Sequence, residues 1–126
     1  MPQGSTTFHE SEEHLSPATR DLHRAVVSLM EELEAVDWYQ QRIDATQDNE
    51  LREILRHNRD EEKEHAAMVL EWIRRRDTAF DAKLREYLFT EGSIVRREDA
   101  LERGDGGVGA AVNGTAATVG SLRGGR

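Results

Sequence analysis

From Asn49 onward, one row of positions repeats at alternating steps of four and three: Leu51, Leu55, Asn58, Glu62, His65, Val69 and Trp72. That spacing is the signature of a helix face packed against other helices. Its two ends are apolar, but its middle is Asn58, Glu62 and His65. Upstream, Leu29, Glu32, Val36, Tyr39 and Ile43 make a stripe of the same spacing, and Leu22, Val26, Leu29, Leu33 and Val36 make the seam beside it. Ser16-Pro17 marks a helix start, with Ser16 placed to cap free amides and Pro17 preset for the first turn. The pattern predicts a helix to about Ala45. The short polar run Thr46-Gln47-Asp48-Asn49 then predicts a tight turn with Asp48 as the next cap. A second helix runs to about Arg76, where Arg74, Arg75 and Arg76 suit the negative end of the helix dipole. Thr78 opens a shorter third helix ending near Phe89. Two long helices joined by so short a turn fold back as an antiparallel hairpin, so the fold class is all-α.

Composition adds a boundary and a constraint. Nine of the ten glycines lie at or beyond Gly92, and every aromatic residue lies before it. Glycine is costly inside a helix, so residues 92–126 are expected to be a flexible tail, with one short helical stretch around Ile94 to Glu102. Residues 1–14 are expected to lack fixed order, which leaves residues 15–91 as the helical domain. With 126 residues, 33% of them charged, and a mean hydropathy of -0.75, a lone hairpin buries little apolar area. Self-association is therefore expected on stability grounds before any function is considered.

Charge and cysteine usage exclude several classes of function. The net charge of -8 argues against nucleic-acid or anionic-membrane partners and is compatible with attracting cations. There is no cysteine, which excludes disulfides and thiolate metal sites. No apolar run is long enough to span a bilayer, and Met1 to Glu13 lacks the apolar core of a secretory signal. A cytoplasmic protein is expected.

The polar middle of the stripes carries the chemistry. A carboxylate on a packing seam is expensive unless it is paired or bound to a cation. Glu32 lies about 14 residues before the turn centre and Glu62 about 15 after it, so at roughly 1.5 Å per residue they face each other across the hairpin. Glu62-Lys63-Glu64-His65 has Glu-x-x-His spacing, which sets both ligands one turn apart on one face. Ferritin-like di-iron bundles take one Glu from each of two helices and Glu-x-x-His from each of the other two. This chain holds half of that set, and a two-fold dimer forming a ferritin-like four-helix bundle would complete it. Carboxylate and imidazole ligands without thiolate suit iron or manganese. By the same spacing, Glu61 and Glu64 read as solvated, His57 as surface, and Trp72, Leu51, Leu29 and Val36 as core. Tyr39 reads as packing or as a hydrogen-bond partner near the metal, and His9 and His14 are given no role.

Longer stretches carry a resemblance. Ser28-Leu29-Met30-Glu31-Glu32-Leu33-Glu34-Ala35, Asp37-Trp38-Tyr39, the run from His57 to Met68, and Arg85-Glu86-Tyr87-Leu88-Phe89-Thr90-Glu91 resemble the encapsulated ferritins, over nearly all of residues 15–91. The resemblance implies a hairpin subunit that dimerises around a ferroxidase centre, with the dimers set in a decameric ring. It implies that Glu32, Glu62 and His65 of both chains hold two irons, with Glu62 bridging and Tyr39 beside them. It further implies that Glu31 and Glu34 form an outer metal site on the access route, next to Trp38. Thr118-Val119-Gly120-Ser121-Leu122-Arg123-Gly124 resembles the peptide by which cargo docks inside an encapsulin shell, which places that element at about 117–124. The function so implied is oxidation of Fe(II) to Fe(III) by dioxygen, with the iron passed to the surrounding compartment for storage. The alternative is a non-catalytic metal-binding helical module whose seam polar groups only fix helix register. Another di-metal oxidase, acting on peroxide or an organic substrate, ranks below both because no substrate pocket is legible.

Overall fold

The structure is a computed structural model, and it describes residues 6–104. Four α-helices follow one 3-10 turn at Glu12–His14: α1 Pro17–Ala45, α2 Asn49–Arg76, α3 Thr78–Tyr87 and α4 Ile94–Glu102. No described residue lies in a strand, so the described fold is all-α. The described residues form two compact units, one ending at Thr78 and one beginning at Ala79.

The first unit is the hairpin. Ser16 Oγ accepts from Thr19 N at 3.0 Å, and Pro17 occupies the first helical position. Asp48 Oδ1 accepts from Leu51 N at 3.0 Å, and Thr46 Oγ1 accepts from Asp48 N at 3.2 Å, so the three-residue turn is capped from its own side chains. Arg52 closes it from the other side. Its guanidinium donates to the Ile43 carbonyl at 3.3 Å and to that of Thr46, two groups that the end of α1 leaves without helical partners. Residues 6–14, expected to lack order, lie against α1 instead. His23 Nε2 donates to the Thr6 carbonyl at 3.0 Å, the Phe8 ring stands 4.6 Å from that imidazole, and Glu12 pairs with Arg20 at 3.6 Å. The local sequence gives no periodic signal for those contacts, because they are made by single side chains outside any helix.

The α1–α2 contact corrects the seam drawn from sequence. The only buried apolar residues among those described are Ile43, Ala66 and Ile73. On α2 the line of closest contact runs through Glu62, Ala66 and Ile73; of the predicted seam, Glu62 lies on that line, Leu55, Asn58, Val69 and Trp72 are half-buried beside it, and Leu51 and His65 lie exposed at its edge. On α1, Ile43 is buried, but Val26 and Leu33 of the second seam are exposed. Two helices bury only the narrow strip along their line of contact. Apolar positions one step around either helix are left exposed among the described residues, as at Leu33 (55% exposed), Ile54 (53%) and Met68 (63%).

The second unit is a helical corner. Leu88 N donates to Leu84 O at 2.8 Å, and Phe89 follows in the left-handed conformation at φ 61°, where a helix end usually places glycine. Arg97 of α4 donates to the Glu86 carbonyl at 2.7 Å and so satisfies the end of α3. Ser93 Oγ caps α4 by accepting from Arg96 N at 3.2 Å. The helical stretch expected at Ile94 to Glu102 is present as α4, with the same limits. The rest of the tail, with the peptide at about 117–124, lies outside the described residues.

With a core this small, single core residues weigh heavily. Ile73, 1% exposed, is expected to cost roughly 3 kcal/mol on Ile73→Ala, read as a loss of thermal stability by circular dichroism. Exposed Lys63→Ala on the same helix should stay within about 0.5 kcal/mol of the parent.

Candidate metal centre

α1 delivers Glu32, and α2 delivers Glu62 and His65, to the middle of the hairpin. These are the only three His, Asp or Glu side chains among the described residues that converge tightly enough to hold a metal, with one ligand atom from each within 4.8 Å of the others. The turn geometry explains the meeting. A capped three-residue turn fixes how the helices are paired, and the nearly equal distances of Glu32 and Glu62 from it set them opposite each other. Helical spacing then brings His65 to the same side as Glu62.

His65 Nδ1 stands at the centre of the group, 2.8 Å from Glu62 Oε1 and 3.3 Å from Glu32 Oε2. One proton on Nδ1 serves Glu62, and the longer approach gives Glu32 charge without a directed bond. Glu32 Oε2 is in fact shielded from solvent and accepts no hydrogen bond. A shielded carboxylate oxygen that accepts no hydrogen bond is costly, and a cation among these three atoms would offset that cost. Donor type and convergence both fit such an ion: two carboxylates and one imidazole, with no sulfur. Both glutamates are shielded (24% exposed each), while His65 is 48% exposed and opens the cluster to one side of the hairpin.

Electrostatics agree with the geometry. Burial holds the Glu32 carboxyl above its usual range, and the neighbouring Glu62 raises it further against a smaller opposing effect of His65. The hydrogen bond that Nδ1 donates to Glu62 raises His65 above its usual value, assisted by the charge of Glu32. Without metal, then, a proton on Nδ1 occupies the place that a cation would take.

The remaining site candidates are not gathered into this cluster. Tyr39 is half-buried two turns beyond Glu32, about 10 Å along the axis. The Arg42 guanidinium lies 5.7 Å from its ring and 5.9 Å from that of Trp38. Glu31 and Glu34 are half-buried, and with exposed Trp38 they follow one side of α1 at steps of three and four. Sequence periodicity missed a shallow groove beside the cluster, between Asp21, Arg24 and Ser28 of α1 and Met68, Val69 and Trp72 of α2. It forms where small Ala25 and Ser28 face large side chains, a pairing visible only once the helices are set side by side.

Several known proteins resemble this chain. Residues 7–91 match the family model described as EncFtn-like. An encapsulated ferritin-like protein of Rhodospirillum rubrum is 55% identical over 130 residues, spanning 98% of this chain and 93% of that protein. An encapsulin nanocompartment cargo protein of Myxococcus xanthus is 32% identical over 131 residues, spanning 98% of this chain and 99% of its own. A Nitrosomonas europaea protein of known crystal structure shares 63% identity and superposes with a TM-score of 0.68, covering 69% of this chain and 96% of that one.

Metal binding must displace the proton on His65 Nδ1, and both shifts are upward. Affinity for Mn(II) is therefore expected to rise about tenfold per pH unit until the pH passes the raised His65 value, then level off. Titration calorimetry in two buffers of different ionisation enthalpy should register the released proton. Equal affinity and no proton release between pH 6 and 8 would contradict the assignment.

Proposed function

The chain belongs to the EncFtn-like family, and we propose from that membership and the cluster geometry that it is a ferroxidase and an encapsulin cargo protein. It oxidises Fe(II) to Fe(III) with dioxygen at a di-iron centre that two copies complete. The observation that carries this reading is the convergence of Glu32, Glu62 and His65 Nδ1, with a shielded Glu32 oxygen that lies 3.3 Å from Nδ1 and accepts no hydrogen bond. One chain offers one Glu and one Glu-x-x-His, half of the ligand set of a di-iron helical bundle. The exposed edge of His65 opens to the side where Ile54 and Met68 are also uncovered, which supports pairing there into a four-helix bundle.

Iron is the substrate, each bound Fe(II) giving up one electron and dioxygen accepting them. Glu32 and Glu62 bind it, Glu62 bridging the pair, and their two negative charges favour the product with the higher positive charge. His65 releases the Nδ1 proton on binding and ligates as the neutral imidazole. Tyr39 lies on the same stripe of α1 as Glu32, on the turn side of the centre, and serves as its neighbour there. Glu31 and Glu34 form an outer metal site on the way in, beside Trp38, and their helical spacing on one side of α1 supports that grouping. Exposed Val26 and Leu33, on another side of α1, support a second contact between copies, as a decameric ring of dimers requires. The tail docks to the shell protein through residues 117–124, which encloses the enzyme in the compartment that stores its product. Support comes from the Rhodospirillum rubrum and Myxococcus xanthus relatives, whose similarity spans 98% of this chain and so continues well past residue 91.

A non-catalytic metal-binding module has one observation in its favour: Glu62 and His65 already bond to each other without a cation. Oxygen uptake separates the readings, since a passive binder takes up iron without consuming oxygen. For the ferroxidase, Glu32→Ala, Glu62→Ala and His65→Ala are each expected to lower the aerobic rate of Fe(II) oxidation at least tenfold while helix content is kept. Three unchanged rates would defeat the proposal. Removal of residues 115–126 should leave the oxidation rate intact and abolish co-purification with the shell protein, and persistent co-purification would move docking elsewhere.

A further inference from the structure

Asn58 is half-buried on α2, one turn before Glu62 and two turns before His65, on the side to which His65 opens. A turn earlier on the same side stand Ile54 and Leu55, with Leu51 beyond them. Its polar neighbours are engaged within the chain. Arg59 donates to Gln40 Oε1 at 2.7 Å, His65 bonds to Glu62, and His57 pairs with Glu61 at 3.7 Å. The Asn58 amide, by contrast, has no hydrogen-bond partner among the described residues. It is a donor and an acceptor between Ile54 and Leu55 one turn earlier and Glu61 and Glu62 one turn later, on the side of α2 where Ile54 (53%) and Met68 (63%) are exposed.

We infer that Asn58 is a positioning residue that fixes the register in which two copies pair, and so brings their two half-sites into line. The inference rests on the pairing put forward under the proposed function. Apolar seams of leucine and isoleucine tolerate sliding by a helical turn, because every register buries similar area. An amide does not, since it must meet a polar group or a held water at one height and is left unpaired at others. A single buried Asn in a helical seam sets register and copy number at some cost in stability. In a two-fold pair each slip misplaces two such amides. The centre needs this discrimination, because a slip of one turn moves the partner's ligands by about 5 Å, beyond any shared coordination. Asn58 touches no substrate in this scheme and acts through the alignment of Glu32, Glu62 and His65.

The test uses the full chain loaded with Zn(II), a redox-inert probe. Because the chain has no cysteine, Gln47→Cys in the turn supplies the only thiol for a nitroxide label. Electron–electron resonance distances between labels should show one narrow shortest peak in the parent. With Asn58→Leu, native mass should show pairing as tight or tighter, the peak should broaden or split by about 5 Å, and tightly held zinc per subunit should fall at least twofold. Asn58→Ala, which removes the amide without adding bulk, should move the same readings the same way and guards against misfolding of the leucine variant. A parental peak and full zinc content in both variants would overturn the inference. So would a parental peak with reduced zinc, which would make the amide a partner of the ligands instead. If the parent itself does not pair, the inference falls with the proposed shared centre, and the failure is visible before any variant is made.

Discussion

Two carboxylates held on facing sides of one helix pair repel each other, and the hairpin brings Glu32 and Glu62 together nonetheless, with His65 Nδ1 as the only positive edge between them. Much else in the molecule follows from that placement. The imidazole carries one proton toward two acceptors, so Glu62 is satisfied and Glu32 Oε2 is left shielded, in charge contact but without a hydrogen bond. Burial and mutual repulsion then raise the Glu32 carboxyl, and the two carboxylates raise His65. A divalent cation among the three side chains would offset the burial and repulsion that raise Glu32. A cation taken up by these three side chains competes with the proton on His65, so metal uptake and proton release are coupled.

The same economy governs the scaffold. Three buried apolar side chains among the described residues are few for independent stability, while Leu33, Ile54 and Met68 stay exposed. The apolar surface missing from the inside is found on the outside, on more than one side of the hairpin. A chain arranged in this way gains its stability by covering those faces with copies of itself, and the metal centre opens onto one of them. His65 belongs to both, since its exposed edge is part of the three-residue cluster and of that uncovered face.

Much of this was legible in the chain itself. The helix limits followed from Ser16-Pro17, from Asp48 and from the arginines before Asp77, because caps and dipole partners act within one turn of the residues that supply them. α1 and α2 have the limits that those signals imply. Glu32, Glu62 and His65 stood out for a related reason: helical period and a short turn together fix height and side, and no long-range information is needed. The chosen seam on α2 was less accurate. Periodicity ranks the faces of a helix by apolar content, and on α2 two neighbouring faces are both apolar. Which of them the hairpin buries depends on how two cylinders of unequal side chains settle, and the small Ala66 draws the contact toward its own side.

The fold class, the turn and the identity of the three converging side chains were thus determined by sequence alone, because each rests on interactions spanning a turn or two of helix. Tertiary structure alone decided that the row through Ala66 and Ile73 is the buried one, that Glu32 Oε2 is left without a hydrogen bond, and that residues 6–14 lie against α1. Each of these depends on the distance between atoms on separate segments, which no local spacing encodes. The half-site could be named from its residues, but its unmet hydrogen bond, the physical reason for it to take a metal, appears only when the two helices are side by side.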